Sequence, residues 1–323
     1  MRKVLFIYNP RAGTGLIRNH LSYILEEMGK REFEITIHPT QNANDACETT
    51  RLCGADYDMI ICSGGDGTLD QVAAGMQRGG FRRQLGYIPA GSTNDFAASL
   101  GISKDMRKAA KDILEGTEFD CDIGRFNENY FIYVAAFGAF TDVSYKTSQE
   151  WKNALGHLAY ILQGVKSLSS LKAWHMKIES EEYTGEGDFL YGMVTNSNSV
   201  GGFKGITGRD VTLNDGKFEV TLIRATDNII IWASIINALM SGEENDYVIS
   251  FKTAHLEVFS DTKIPWTRDG EYGGSYTHAV IDNLPGALPI IVPSDAAALE
   301  AGEDRGYFEE AGEEDDSAEI LGL

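Results

Sequence analysis

A chain of 323 residues, 43% hydrophobic and 24% charged, has room for two folded domains and the make-up of a soluble globular protein rather than a fibre or a membrane bundle. Its formal net charge of −20 argues against nucleic acid as a partner. Four scattered cysteines (Cys47, Cys53, Cys62, Cys121) fit neither a disulfide framework nor a metal cluster and read as reduced thiols of a cytosolic protein. No apolar leader precedes Asn9-Pro10, and the most apolar run, 229–240, falls short of the roughly 20 residues that span a bilayer.

The first predicted strand is Val4-Leu5-Phe6-Ile7-Tyr8, which ends in the polar turn Asn9-Pro10-Arg11-Ala12-Gly13-Thr14-Gly15. Leu21, Ile24, Leu25 and Met28 follow at helical spacing, with Gly29 as a stop. Residues 33–38 alternate as a strand that ends at Pro39-Thr40, and 45–52 reads as helix. Next comes Tyr57-Asp58-Met59-Ile60-Ile61-Cys62, an apolar run typical of a strand buried on both faces. It leads into Ser63-Gly64-Gly65-Asp66-Gly67-Thr68-Leu69-Asp70-Gln71-Val72. In that stretch Leu69, Val72, Ala73 and Met76 open a helix, so the order is strand, glycine turn, helix. Such a turn exposes backbone N–H groups and the positive end of a helix, both suited to phosphate. A carboxylate at its tip, Asp66, makes sense beside phosphates chiefly through a metal ion. A fourth strand, 84–88, ends in Pro89-Ala90-Gly91-Ser92-Thr93-Asn94-Asp95-Phe96, and a helix follows over about 106–114.

Strands alternating with helices over 120 residues predict a doubly wound, mostly parallel α/β sheet, with ligands bound beyond the strands' carboxyl ends. All three glycine-bearing turns sit at such ends. After Phe119-Asp120-Cys121-Asp122-Ile123-Gly124 the alternation stops, and strands at 130–137, 174–179, 189–195, 217–224 and 247–259 predict a second, mainly antiparallel β-sandwich domain. Helices are expected only at about 149–171 and 227–240. The boundaries read as 1–124 for the first domain, 125–284 for the second and 297–323 for an acidic, disordered tail, with 285–296 returning to the first domain. From residue 295 onward 11 acidic residues face the single Arg305, half of the net charge. Residues 146–177 are the exception, with five lysines against Glu150 and Trp151, Leu155, Leu158, Leu162 and Val165 at helical spacing. That stretch reads either as a membrane-surface helix or as a core helix with a solvated lysine face.

Neither GxxxxGK[ST] nor GxGxxG occurs in the phosphate-binding turns. The combination Asn9-Pro10-x-x-Gly13, Gly64-Gly65-Asp66-Gly67-Thr68 and Pro89-x-Gly91-Ser92-Thr93-Asn94-Asp95, each following a strand, resembles the catalytic domain of the diacylglycerol kinase family, especially its soluble bacterial members. Blocks at 119–124, 213–218 and Asp269-Gly270-Glu271-Tyr272-Gly273-Gly274 extend the resemblance across residues 3–294. It implies a first domain similar to phosphofructokinase and NAD kinase, and phosphoryl transfer from ATP with Mg²⁺ to a lipid hydroxyl: diacylglycerol to phosphatidic acid, or another lipid alcohol. A nucleotide-binding regulator without catalysis is the rival from another class. Residues 9–13, Thr40, 64–68, Asp70, Gln71 and 92–95 would then hold the nucleotide, and Asp66 and Asp122 its magnesium. Glu271 would act as general base, although Glu271 also reads as a surface carboxylate in a hairpin and Asp122 as a turn aspartate. Asp215 with the carbonyls of Thr212 and Lys217 would hold a structural magnesium, or form an ordinary turn. Two departures stand out: Ser92 where threonine is frequent, and Asp70 where asparagine is common, which adds a charge near the phosphates. The resemblance further implies a cytoplasmic protein that touches the inner face of the membrane transiently, and it leaves a homodimer open.

Overall fold

The structure, a computed structural model, describes residues 1–138, 172–200, 203–204, 211–241 and 245–294. The expected helix at 149–171 and the acidic tail lie outside these residues.

The first half runs β1 (Arg2–Tyr8), α1 (Ile17–Gly29), β2 (Phe33–Pro39), α2 (Asp45–Cys53), β3 (Met59–Gly64), α3 (Asp66–Gly79), β4 (Gln84–Pro89), α4 (Asp95–Ser99) and α5 (Met106–Glu115). β2, β1, β3 and β4 lie side by side in that order and all parallel, with Val4 opposite both Ile35 and Met59, and Met59 opposite Gln84. The apolar runs explain the order. Val4–Ile7 and Met59–Cys62 are buried on both faces, as interior strands must be, whereas β2 at the edge leaves alternate residues in water. The predicted helical repeat of α3, Leu69, Val72, Ala73 and Met76, is wholly buried. Cutting Phe6, fully buried in β1, back to alanine would cost about 3–5 kcal/mol.

The second half contains β5 (Thr117–Phe126), β6 (Asn129–Phe131), β7 (Val134–Gly138), β8 (Trp174–Glu179), β9 (Thr184–Thr195), β10 (Ser199–Val200), β11 (Phe203–Lys204), β12 (Phe218–Arg224), α6 (Ile229–Ser241), β13 (Val248–Thr253), β14 (His255–Arg268) and β15 (Glu271–Val292). Its strands pair antiparallel around an aromatic core that includes Phe126, Phe137, Phe189 and Trp266. The predicted strand at 130–137 is broken in two, because the N–H groups of Ile132, Tyr133 and Val134 are drawn to the Asp269 carboxylate.

The halves are not separate sheets. β15 leaves its hairpin with β14, runs along β5, and lays Ile290 parallel to Leu85 of β4. Through it the strand order is continuous: β13-β12-β9-β7-β14-β15-β4-β3-β1-β2. One strand therefore carries both the tip of the second half, at Glu271, and an attachment to the first half. No described helix is long and apolar enough to cross a membrane.

Candidate active site

The three polar turns meet at the carboxyl ends of β1, β3 and β4, where parallel pairing brings those ends level. The Asn9 N–H donates to the Ser63 carbonyl at 2.8 Å, the Ala90 N–H to Gly64 at 2.8 Å and the Thr40 N–H to Tyr8 at 2.9 Å. The Asn9 side chain closes its own turn by accepting from the Arg11 N–H at 2.9 Å, and its Nδ2 reaches Thr68 Oγ1 at 3.4 Å. Two contacts require glycine. A Cβ on Gly91 would lie 2.6 Å from the Gly65 Cα, and one on Gly13, whose φ is +52°, would lie 2.5 Å from the Ala90 carbonyl oxygen. Asn94, itself at φ +55°, locks the third turn by accepting from the Gly91 N–H at 3.0 Å and donating to the Gly91 carbonyl at 2.8 Å. Gly65 caps α3: the N–H groups of Thr68 and Leu69 turn back to its carbonyl at 2.9 and 3.2 Å, which leaves those of Asp66 and Gly67 at the positive end of the helix, beside the converging turns.

Asp66 opens α3. Its Oδ2 accepts from the Asp95 N–H at 3.1 Å, while its Oδ1 is buried with no partner among the described residues. Burial, then the charges of Asp95 and Asp269, push its pKa up to about 7. A carboxylate placed without a positive partner, one oxygen orphaned, fits a cation. Among the described residues no group of three His, Cys, Asp or Glu side chains stands ready to enclose one. A cation at Asp66 would therefore draw its other ligands from phosphate and water, the habit of Mg²⁺.

The second half covers this floor with the hairpin between β14 and β15. Glu271 Oε1 would lie 3.2 Å from a Cβ on Gly67, so its carboxylate rests on the glycine turn. Behind it Asp269 is held at φ +47° and buried, accepting from the N–H groups of Ile132, Tyr133 and Val134 at 2.7, 3.0 and 3.0 Å. Asp269 also hydrogen-bonds Asp70 of α3. Burial and the Asp269 charge raise the Asp70 carboxyl well above the usual carboxylate range; burial raises Asp269 as well, but its three N–H donors hold it back, so of the pair Asp70 is the one that keeps the proton and donates. Burial thus works against the charge expected from Asp70 near the phosphates. Gln71, the next residue of α3, is half-buried and does not line the cleft.

Asp122 stands apart from Asp66. It does not line the cleft; its carboxylate accepts from the Gly216 N–H at 2.7 Å and the Gly286 N–H at 2.8 Å, and its own N–H donates to Leu213. Burial raises its pKa, and those two N–H groups hold it back. The geometry makes it a cross-tie joining β5 to two distant turns. Asp215 accepts from the Lys217 N–H and from Lys252 Nζ, both at 3.0 Å, and Lys252 also contacts Glu219 at 3.1 Å. Asp215, expected to hold a magnesium with the carbonyls of Thr212 and Lys217, thus has the Lys252 ammonium as a positive partner.

Between the halves lies a cavity of about 260 Å³. Gly65–Gly67 and Gly91–Asp95 form one wall; Tyr133, Val134, Ala136, Tyr191, Val200, Thr267, Asp269 and Gly270 form the other. Residues 9–13 and Thr40 flank that cavity without lining it. Sequence reasoning missed Tyr191 and Thr267, which sit in β9 and β14 as ordinary core residues, and Tyr133, in the link between β6 and β7. It also missed Asn196 and Ser197, which are fully buried: Asn196 donates to the Asp122 carbonyl at 2.8 Å, and Ser197 shares a hydroxyl contact with Ser99 of α4 at 2.8 Å. The polar run Asn196-Ser197-Asn198 after an apolar strand was the available signal.

An α/β half whose three glycine-bearing turns converge is faced by a carboxylate-bearing hairpin from a β-rich half, an arrangement suited to phosphoryl transfer. The sequence model of the diacylglycerol kinase catalytic domain matches residues 3–126, and that of the YegS C-terminal NAD kinase beta sandwich-like domain matches residues 136–292. The chain is 34% identical to a diacylglycerol kinase of Bacillus subtilis over 301 residues, 92% of this chain and 98% of that one. It is 33% identical to a diacylglycerol kinase of Staphylococcus carnosus over 302 residues, 93% and 98% of the two chains. The fold is that of a crystal structure of a diacylglycerol kinase from Bacillus anthracis, with a TM-score of 0.70 at 23% identity, covering 91% and 98%. The chain belongs to the diacylglycerol kinase family.

Proposed function

We propose that this chain transfers the γ-phosphoryl group of ATP to the hydroxyl of diacylglycerol, giving phosphatidic acid. The observation that carries the reading is the seat of Glu271, exposed and just outside the cavity, on the Asp66-Gly67 turn, which itself lines a cavity whose far wall includes Val134, Ala136, Tyr191 and Val200. One wall suits polyphosphate and the other an apolar acceptor. The N–H groups of Gly13 and of Gly65–Gly67, with the hydroxyls of Thr40, Ser92 and Thr93, bind and orient the nucleotide. Asp66, with water, would hold the magnesium whose charge offsets that of the phosphates. Glu271 accepts the proton of the acceptor hydroxyl as that oxygen bonds to the γ-phosphorus, and the β–γ bridging oxygen departs with ADP. Asp122 supports the site through Gly216 and Gly286 rather than by touching the reactants.

The acceptor is reached at a membrane surface that the protein visits from the cytoplasmic side; Ile230, 76% exposed on the apolar helix α6, and the exposed Lys172 are suited to that contact. The test is transfer of radiolabelled γ-phosphate from ATP to a panel of lipid alcohols in mixed micelles. Diacylglycerol is expected to be the best acceptor. Preference for a sphingoid base, ceramide or polyprenol would replace the substrate, and ATP binding without transfer to any lipid would overturn the reading.

A further inference from the structure

We infer that the Asp70–Asp269 hydrogen bond is a latch between the halves: Asp70 is a positioning residue that holds the 269–271 hairpin against α3 and so keeps Glu271 over Gly67.

Two carboxyl groups in contact, Asp269 buried and Asp70 half-buried with its Oδ1 enclosed, are not readily ionised together, and the donors around them decide which keeps the proton. Asp269 receives three backbone N–H bonds, Ile132 on Oδ2 and Tyr133 and Val134 on Oδ1, all from the link between β6 and β7. Such a group is an acceptor already committed as carboxylate. Among the described residues Asp70 receives nothing on its buried Oδ1, as the carbonyl oxygen of a neutral acid tolerates better than a charged one does. The remaining groups near Asp70 do not replace the latch. Arg268 turns its Nη1 to the Tyr130 carbonyl at 2.5 Å, Glu271 rests on Gly67, and Cys47 of α2 is a thiol that burial keeps protonated.

The placement of this bond gives it leverage. Asp269 is a non-glycine residue at φ +47°, a conformation that persists only where its surroundings fix it, and its own N–H donates to Val134 at 2.9 Å. Those contacts anchor the hairpin to its own half. Asp70 is the side chain from α3 that hydrogen-bonds it, four residues from Asp66 in the same helix. The distance between the phosphate-binding turn and Glu271 is thereby set through one short chain of contacts: α3, Asp70, Asp269, Glu271. The inference rests on the phosphoryl-transfer reading for the role of Glu271, but the latch itself does not.

The test measures the latch and the reaction separately in the full chain, using Asp70→Ala, Asp70→Leu and Asp70→Asn. Leucine keeps bulk without a donor, and asparagine keeps an N–H donor without a titratable proton. By hydrogen–deuterium exchange, peptides covering 266–274 should exchange at least tenfold faster in Asp70→Ala and Asp70→Leu. In Asp70→Asn they should return to within about twofold of wild type. In ATP-to-diacylglycerol transfer the first two variants should lose at least tenfold in kcat while the Kd for ATP stays within about threefold, and Asp70→Asn should recover most of that loss. If Asp70→Ala does not fold, Asp70→Leu carries the comparison. Unchanged hairpin exchange in Asp70→Leu, or an Asp70→Asn as loose as Asp70→Leu, overturns the latch. Loose hairpins with undiminished kcat would keep the latch and overturn its role in setting Glu271. A wild type that transfers to no lipid but shows the exchange pattern would refute the proposed function alone.

Discussion

Replacing Asp66 by asparagine should make the ligand-free protein more stable and catalytically dead. Folding carries this carboxyl from an ordinary pKa of 3.8 to about 7, because it is buried beside Asp95 and Asp269 with one oxygen unpartnered. At 1.36 kcal/mol per unit, ionising Asp66 in the folded state costs about 4 kcal/mol relative to the unfolded chain. The sign follows from proton uptake: the raised folded pKa means the folded protein holds a proton that the unfolded chain releases. The cost is nil below pH 4, grows as pH rises from 4 to 7, and is complete above pH 7. Asparagine never bears it and keeps an oxygen for the Asp95 N–H. Urea denaturation of both proteins without nucleotide or metal at pH 4, 5, 6, 7 and 8 should therefore show curves that converge at pH 4. The variant should lead by roughly 4 kcal/mol at pH 8. Phosphoryl transfer by the variant should fall at least about a thousandfold, the usual outcome when stability is recovered from a functional site. Equal stability at every pH, or a variant weaker at pH 8, would show that Asp66 is not held as an uncompensated buried acid.

Gly91→Ala should force the second and third turns apart, since the new Cβ would meet the Gly65 Cα at 2.6 Å; about 1–3 kcal/mol of stability and at least tenfold in ATP affinity should be lost, read by thermal melting and calorimetry. Asp122→Ala leaves the buried N–H groups of Gly216 and Gly286 without their acceptor and should cost about 2–5 kcal/mol in chemical denaturation. If its melting is unchanged and only its magnesium dependence shifts, Asp122 is a metal ligand after all.

What the sequence showed and hid follows from how far each feature reaches along the chain. The turns at 9–15, 63–68 and 89–95 were legible because glycine, proline and asparagine mark them locally and each follows an apolar run. That they converge on one spot follows from parallel pairing of β1, β3 and β4, which the strand–helix alternation already suggested. The contact of Glu271 with Gly67 spans about 200 residues, and only the family blocks connected the two. The partners of Asp122, Gly216 and Gly286, lie 94 and 164 residues along the chain, so nothing near it in the sequence reveals them. Asp70 appeared as a charge because a one-letter code carries no protonation state; burial beside Asp269 sets that. The joining of both halves through β15 was hidden for a related reason. A 22-residue strand that changes partners from β14 to β5 and β4 looks in sequence like a hairpin and a separate short β run.

The central claim is that the β-rich half delivers a base to a phosphoryl group held by the α/β half, and Glu271→Gln tests it most directly. Glutamine keeps the size and the contact with Gly67 but cannot take the hydroxyl proton. In steady-state transfer from ATP to diacylglycerol micelles, kcat should fall roughly 10²- to 10⁴-fold. The Kd for ATP, measured by calorimetry, should stay within about twofold of wild type, the mark of an interaction made only in the transition state. A variant that retains kcat within a few-fold, or that loses ATP binding in step with activity, would contradict the account.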